Sequence, residues 1–170
     1  MLKNLFYVSM LFLMSFGLNA QSIIVVDVNG VLENMEDYKS AQSELNKISE
    51  DYRQRVMQEQ DKVKSMYNEY EAESVLMTEE MKRKKEDDIM QKEKEISQLQ
   101  RGLFGPEGEL FQKRQELVQP IENKVFAAIT EYVDERNVDF VFDKSSTQGL
   151  IFSSDKYDKT EEIKKKLGIK

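Results

Sequence analysis

The chain has 170 residues, 34% charged and 39% hydrophobic, with a formal net charge of −7 at pH 7 and no histidine or cysteine. Those two absences remove the commonest general base, the thiol nucleophile and the usual zinc ligands together, and the acidic balance excludes nucleic-acid binding by bulk charge. Seven glycines and two prolines leave little room for long loops, so the class that remains is a soluble, helix-rich protein with a small core.

In chain order, Met1 to Ala20 has a basic start at Lys3, an apolar run over Leu5 to Leu18 and a small residue at Ala20 before Gln21. The pattern predicts a secretory signal peptide over 1–20, because the apolar run is short for a membrane span. A β-branched run, Ile23-Ile24-Val25-Val26, then predicts a buried strand that ends in an Asn29-Gly30 turn. The stretch from Val26 to Leu32 also resembles the first motif of the haloacid-dehalogenase-like phosphatases, with Asp27 as nucleophile. Asn29 stands where those enzymes carry a second aspartate, and a long helical segment replaces their alternating strands and helices, so the residues read as a strand that ends in a turn.

Residues 38–133 predict a helical hairpin. Tyr38, Ala41, Leu45, Ile48, Tyr52 and Val56 keep the spacing of a helical seam, with one longer step that points to a local eleven-residue repeat. Beyond Val56 the seam thins: Glu59 stands at an expected apolar place, Val63, Met66, Tyr67 and Tyr70 follow, and Lys82 to Asp88 contains no apolar residue. The pattern returns as Leu117, Val118, Ile121, Val125, Ala128, Ile129, Tyr132 and Val133. Thr78, followed by Glu79 and Glu80, reads as a helix start, which puts the tip near 74–78. Gly102 to Gly108, with Pro106, reads as a break in the returning arm and a hinge for it. A tip at 102–108 instead would leave about half of the first helix unpaired in water.

After Asn137, Val138 to Asp143 predicts a strand, Lys144 to Gly149 a turn, and Leu150-Ile151-Phe152 a partner strand. Glu161 to Leu167 reads as a short helix with Thr160 as cap and Gly168 as stop. Residues 21–37 and 134–170 would then form a β-rich body. Three short strands bury too little alone, so Ile23, Ile24, Val25, Val26, Phe140, Phe142 and Ile151 are the candidate oligomerisation residues.

An ordered set of segments identifies the chain as similar to the Skp/OmpH family of periplasmic chaperones. These are Val26-Asp27-Val28, Glu36-Asp37-Tyr38-Lys39, Leu117-Val118-Gln119-Pro120-Ile121, Val138 to Lys144, and Tyr157 to Glu162. The resemblance implies a periplasmic homotrimer with a small β-barrel body and long helical arms around a cavity, which holds unfolded outer-membrane proteins without ATP, cofactor or metal. The better-known members are strongly basic. The acidic balance here argues against contact with lipopolysaccharide or anionic membrane, although Lys82 to Lys85 keeps a local basic cluster.

No catalytic residue is expected. The candidate client-binding residues are Met57, Met66, Tyr67, Tyr70, Leu76, Met77, Met81, Met90, Phe104 and Phe111, since methionine and aromatic side chains adapt to varied apolar partners. The plainer reading of each is helix-on-helix packing. For the whole chain the alternative is an exported coiled-coil adaptor with one fixed partner, which a strict, well-filled heptad would favour.

Overall fold

The structure, a computed structural model, describes residues 21–169, and the expected leader at 1–20 lies outside the described residues. In chain order the elements are β1 (Ile23–Val26), α1 (Val28–Leu32), α2 (Glu36–Glu73), a 3-10 turn (Ser74–Leu76), α3 (Glu79–Phe104), α4 (Glu109–Arg136), β2 (Phe140–Asp143) and α5 (Thr160–Lys166). They fall into two compact units. Leu32–Lys124 forms one, and the described residues up to Val31 join those from Val125 onward in the other.

The Leu32–Lys124 unit is built on α2, whose 38 residues extend about 57 Å at roughly 1.5 Å per residue. Glu36 and Asp37 in its first turn complement the positive end of the helix dipole. After the 3-10 turn the chain enters α3 at Thr78, whose hydroxyl accepts the Met81 N–H at 3.3 Å. The two helices meet through one cluster, Val56 and Val63 from α2 with Ile89, Ile96 and Leu103 from α3. These residues recur every seventh position on both helices, the spacing of a coiled-coil seam. Each such burial contributes about 1.5–3 kcal/mol before the entropy of ordering is subtracted.

Helix α3 continues through Gly102 and ends at Phe104. Gly105 to Gly108 then form a tight turn in which the Gly105 N–H donates to the Arg101 carbonyl and the Gly108 N–H to the Gly105 carbonyl, both at 2.9 Å. A Cβ on Gly105 would lie 2.3 Å from the Arg101 carbonyl oxygen, and one on Gly108 would lie 2.8 Å from that of Gly102. The turn therefore accepts no side chain at either place. Leu103, 1% exposed, pins the break to the seam. Within this unit α4 runs antiparallel to α2, fixed by Tyr52 Oη to Glu109 Oε2 and Lys124 Nζ to Asp37 Oδ2, both 3.0 Å. Pro120 lies inside α4, where its missing N–H leaves the Glu116 carbonyl without a helical donor.

In the other unit β1 and β2 pair in parallel, in register from Ile23 with Phe140 to Val26 with Asp143. The opposite edge of β1 is taken by the backbone at Tyr157 to Lys159: the Val25 N–H donates to the Tyr157 carbonyl and the Lys159 N–H to that of Val25, both at 2.9 Å. This corrects the expected partner strand at Leu150-Ile151-Phe152. That segment is irregular, and Ile151 and Phe152 stand exposed, because β1 has already claimed both neighbours.

Two local expectations are also corrected. Asn29-Gly30 is not a turn but part of α1, because the Asp27 carboxylate accepts the Gly30 N–H at 2.8 Å and starts a helix there. Thr160 lies within the first turn of α5 rather than capping it. The cap position is Lys159, and Asp158 just ahead of it accepts the Thr160 N–H at 3.0 Å, while the Thr160 hydroxyl donates to Asp158 and accepts the Asp27 N–H at 2.9 Å. Gly168 does end α5, in the left-handed conformation with φ 72°.

Candidate functional site

The polar places of the seam explain the electrostatics of the arm. Glu59 and Lys92 occupy positions that a filled heptad would give to apolar residues, and they meet across the hairpin at 2.8 Å. Lys62 binds the other Glu59 oxygen at 2.6 Å, and Glu95 shares Lys92 at 3.2 Å. The hydrogen bonds from Lys62 and Lys92 hold the Glu59 carboxyl down to about 2. Lys92 is raised by its bonds to Glu59 and Glu95.

Tyrosines of α2 fasten the same hairpin. Tyr67 Oη donates to Glu93 at 3.0 Å and Tyr70 Oη to Glu86, and these bonds to carboxylates push both phenols up. Tyr52 is raised by burial first and then by Glu109.

The ten candidate client residues consequently separate into two groups. Met66 and Tyr70 pack against the seam cluster, Met77 is half-buried at the tip, and Tyr67 keeps an exposed ring while its hydroxyl is engaged. Met57, Leu76, Met81, Met90, Phe104 and Phe111 stand exposed. The Phe104 ring meets Tyr52 edge-on at 6.2 Å. Val75, 89% exposed beside Leu76, belongs with this second group and was missed from sequence. Its position in a tight reversal between two helices is the signal that could have found it.

The candidate oligomerisation residues divide in the same way. Ile24, Val25 and Val26 are buried within their own chain, whereas Ile23, Phe140, Phe142 and Ile151 are exposed. The sheet has only two strands, so the outer edge of β2 is open among the described residues.

Asp27, the residue of the phosphatase resemblance, uses its carboxylate to cap α1. Among the described residues no cluster of acidic side chains is arranged to hold a metal ion, and no helix is long and apolar enough to cross a membrane.

Residues 22–167 match the family described as Outer membrane protein (OmpH-like). The chain belongs to this family, one of periplasmic chaperones for outer-membrane proteins rather than of enzymes. Comparison with curated proteins gives no match.

Proposed function

We propose that the chain is an ATP-independent periplasmic holdase, exported by a leader at 1–20, that trimerises through its β body and holds unfolded outer-membrane proteins between helical arms. The observation that carries this reading is the set of exposed methionines and aromatics along otherwise charged helices: Met57, Met81, Met90, Phe104 and Phe111. Small apolar spots in a charged field keep an empty arm soluble and offer many weak contacts to a chain without fixed shape.

Trimerisation is supported by the open edge of β2 and the exposure of Phe140, Phe142 and Ile151. Contact with lipopolysaccharide or anionic membrane is not part of the proposal. The test is light scattering: sub-stoichiometric protein should keep a denatured outer-membrane β-barrel from aggregating on dilution, without nucleotide. Aggregation at the uncatalysed rate overturns the reading. A second reading, a coiled-coil adaptor, is favoured by the seven-residue spacing of Val56 with Val63 and of Ile89 with Ile96. It predicts one stable partner and no protection of unrelated denatured chains.

A further inference from the structure

We propose that the groove beside the Gly105 to Gly108 break is a subsite for a client segment in which an aromatic or large aliphatic side chain stands next to a carboxylate. The inference rests on the holdase reading above and names what one part of that surface selects. The groove follows from the chain path. Helix α3 delivers Leu103 into the seam and Phe104 to the surface, Gly105 adds no side chain, and α4 resumes with Leu110 and Phe111. The gap left against Leu45 of α2 is a cavity of about 360 Å³. That is near the lower end of ligand clefts, roughly 300–1,000 Å³, so it takes one or two side chains rather than a helix.

Its charge selects the occupant. Among the lining residues Arg114 alone is charged, Leu45, Phe104, Leu110 and Phe111 are apolar, and Gln42, Asn46 and Ser49 add a polar wall on α2. Neighbouring Lys113 is paired with Glu116 at 2.7 Å, whereas Arg114 has no hydrogen bond or ion pair among the described residues. A guanidinium at the rim of an apolar groove is matched by a carboxylate, which it can grip through two parallel N–H donors. A basic segment would be repelled, and a neutral apolar one would leave the exposed guanidinium to water.

A second copy of this chain fits less well. Its exposed aromatic and acidic neighbours, Asp139 with Phe140, Phe142 with Asp143 and Tyr157 with Asp158, already have their carboxylates bonded to the Ser22, Val28 and Thr160 N–H groups. An unfolded client has no such prior commitments.

The test uses the full-length protein and short, labelled, unstructured peptides bearing one phenylalanine followed by glutamate, glutamine or lysine, with an alanine–glutamate control. Fluorescence anisotropy should rank phenylalanine–glutamate first, with the glutamine peptide roughly fivefold weaker, the order of one charge-assisted contact at an exposed site. The alanine control should fall further. Arg114→Glu, with circular dichroism confirming the fold, should invert the ranking in favour of the lysine peptide. Phe111→Ser should weaken the glutamate and glutamine peptides alike.

Equal affinity for the glutamate and glutamine peptides, or a ranking that Arg114→Glu leaves in place, overturns the subsite even if the wild-type protein still suppresses client aggregation. If Arg114→Glu instead changes the oligomeric state, the groove belongs to a neighbouring copy and the proposal fails. Wild-type protein that suppresses no aggregation overturns the holdase reading itself.

Discussion

Each of the two units of the molecule is stabilised internally by a different kind of bond. In the β unit, three aspartates at the ends of extended segments accept backbone N–H groups: Asp27 from Gly30, Asp143 from Val28 and Ser145, Asp158 from Thr160. Val26, Val31 and Ile163 are sealed from solvent beside them. The helical unit has one narrow line of buried residues, supplemented by side-chain pairs that are largely open to water, such as Tyr67 with Glu93 and Lys85 with Glu69. Exposed pairs are screened by salt and contribute little each, whereas buried apolar groups and bonded backbone donors are costly to disturb. One unit is thereby specified tightly, while the other rests on a single narrow seam.

The sharpest way to break this contrast is Val26→Asp. A carboxylate at a fully buried strand position costs several kcal/mol, so the β unit should lose its cooperative unfolding transition while circular dichroism keeps much of the helical signal of the hairpin. Simultaneous loss of both would show that the units are not separately stable. In the hairpin the corresponding substitution is Leu103→Ala. Leu103 is 1% exposed at the end of the seam, and removing it should cost about 2–5 kcal/mol, read as increased hydrogen exchange in Arg101 to Phe104 ahead of any change in β1.

A smaller effect separates the units by pH. Burial raises the Asp143 carboxyl, but the hydrogen bonds from Ser146, Ser145 and the backbone outweigh it, and the group lies below its ordinary value. A depressed carboxyl contributes stability that is present above its unfolded value near 4 and is lost as pH falls through the lower folded value. Asp143→Ala should therefore destabilise the β unit at neutral pH by about 1–2 kcal/mol through lost caps. The difference from wild type should shrink in an acid titration below about pH 4. A gap that stays constant to pH 2 would remove the role given to the ionised form.

What could be read from sequence follows the same division. Leu45, Val56 and Val63 are buried on α2 because their spacing is a property of one helix, legible without knowing its partner. Thr78 was equally legible, since a cap is decided within a single turn. Glu59 could be seen to break the apolar pattern, but its answer, Lys92, required the register of the hairpin. The parallel pairing of β1 with β2 joins segments far apart in the chain, so a local pattern favoured the nearer Leu150-Ile151-Phe152 as partner. Asn29-Gly30 misled for a related reason: the residues favour a turn, and a single carboxylate at Asp27 decided for a helix. Arg114 drew no attention because an arginine in a charged helix is ordinary. Only the placement of Phe104, Leu110 and Phe111 beside it gives it a setting.

The subtlest expected effect lies in the seam itself. Glu59 and Lys92 sit where apolar residues would complete the heptad, and each also has a neighbour on its own helix, Lys62 and Glu95. If compliance of the hairpin serves the capture of clients of different size, filling these two places should stiffen it. The double substitution Glu59→Leu with Lys92→Leu extends the apolar line between Val56 and Val63 on one helix and between Ile89 and Ile96 on the other, and the two partners it releases, Lys62 and Glu95, stand in solvent where an unpaired charge costs little. The melting midpoint of the hairpin should rise, and high salt, which weakens the wild-type pairs, should shift the variant less. Because the carboxyl of Glu59 is held down to about 2, its share of wild-type stability is present above the unfolded carboxylate value and is lost only as pH falls toward 2. Wild type and variant should therefore diverge most in strong acid. Retention of a large denatured β-barrel should fall in the variant relative to a small one. A variant that is measurably stiffer yet retains both clients as wild type does would mean that the polar places serve register alone, and that capture does not depend on a yielding arm.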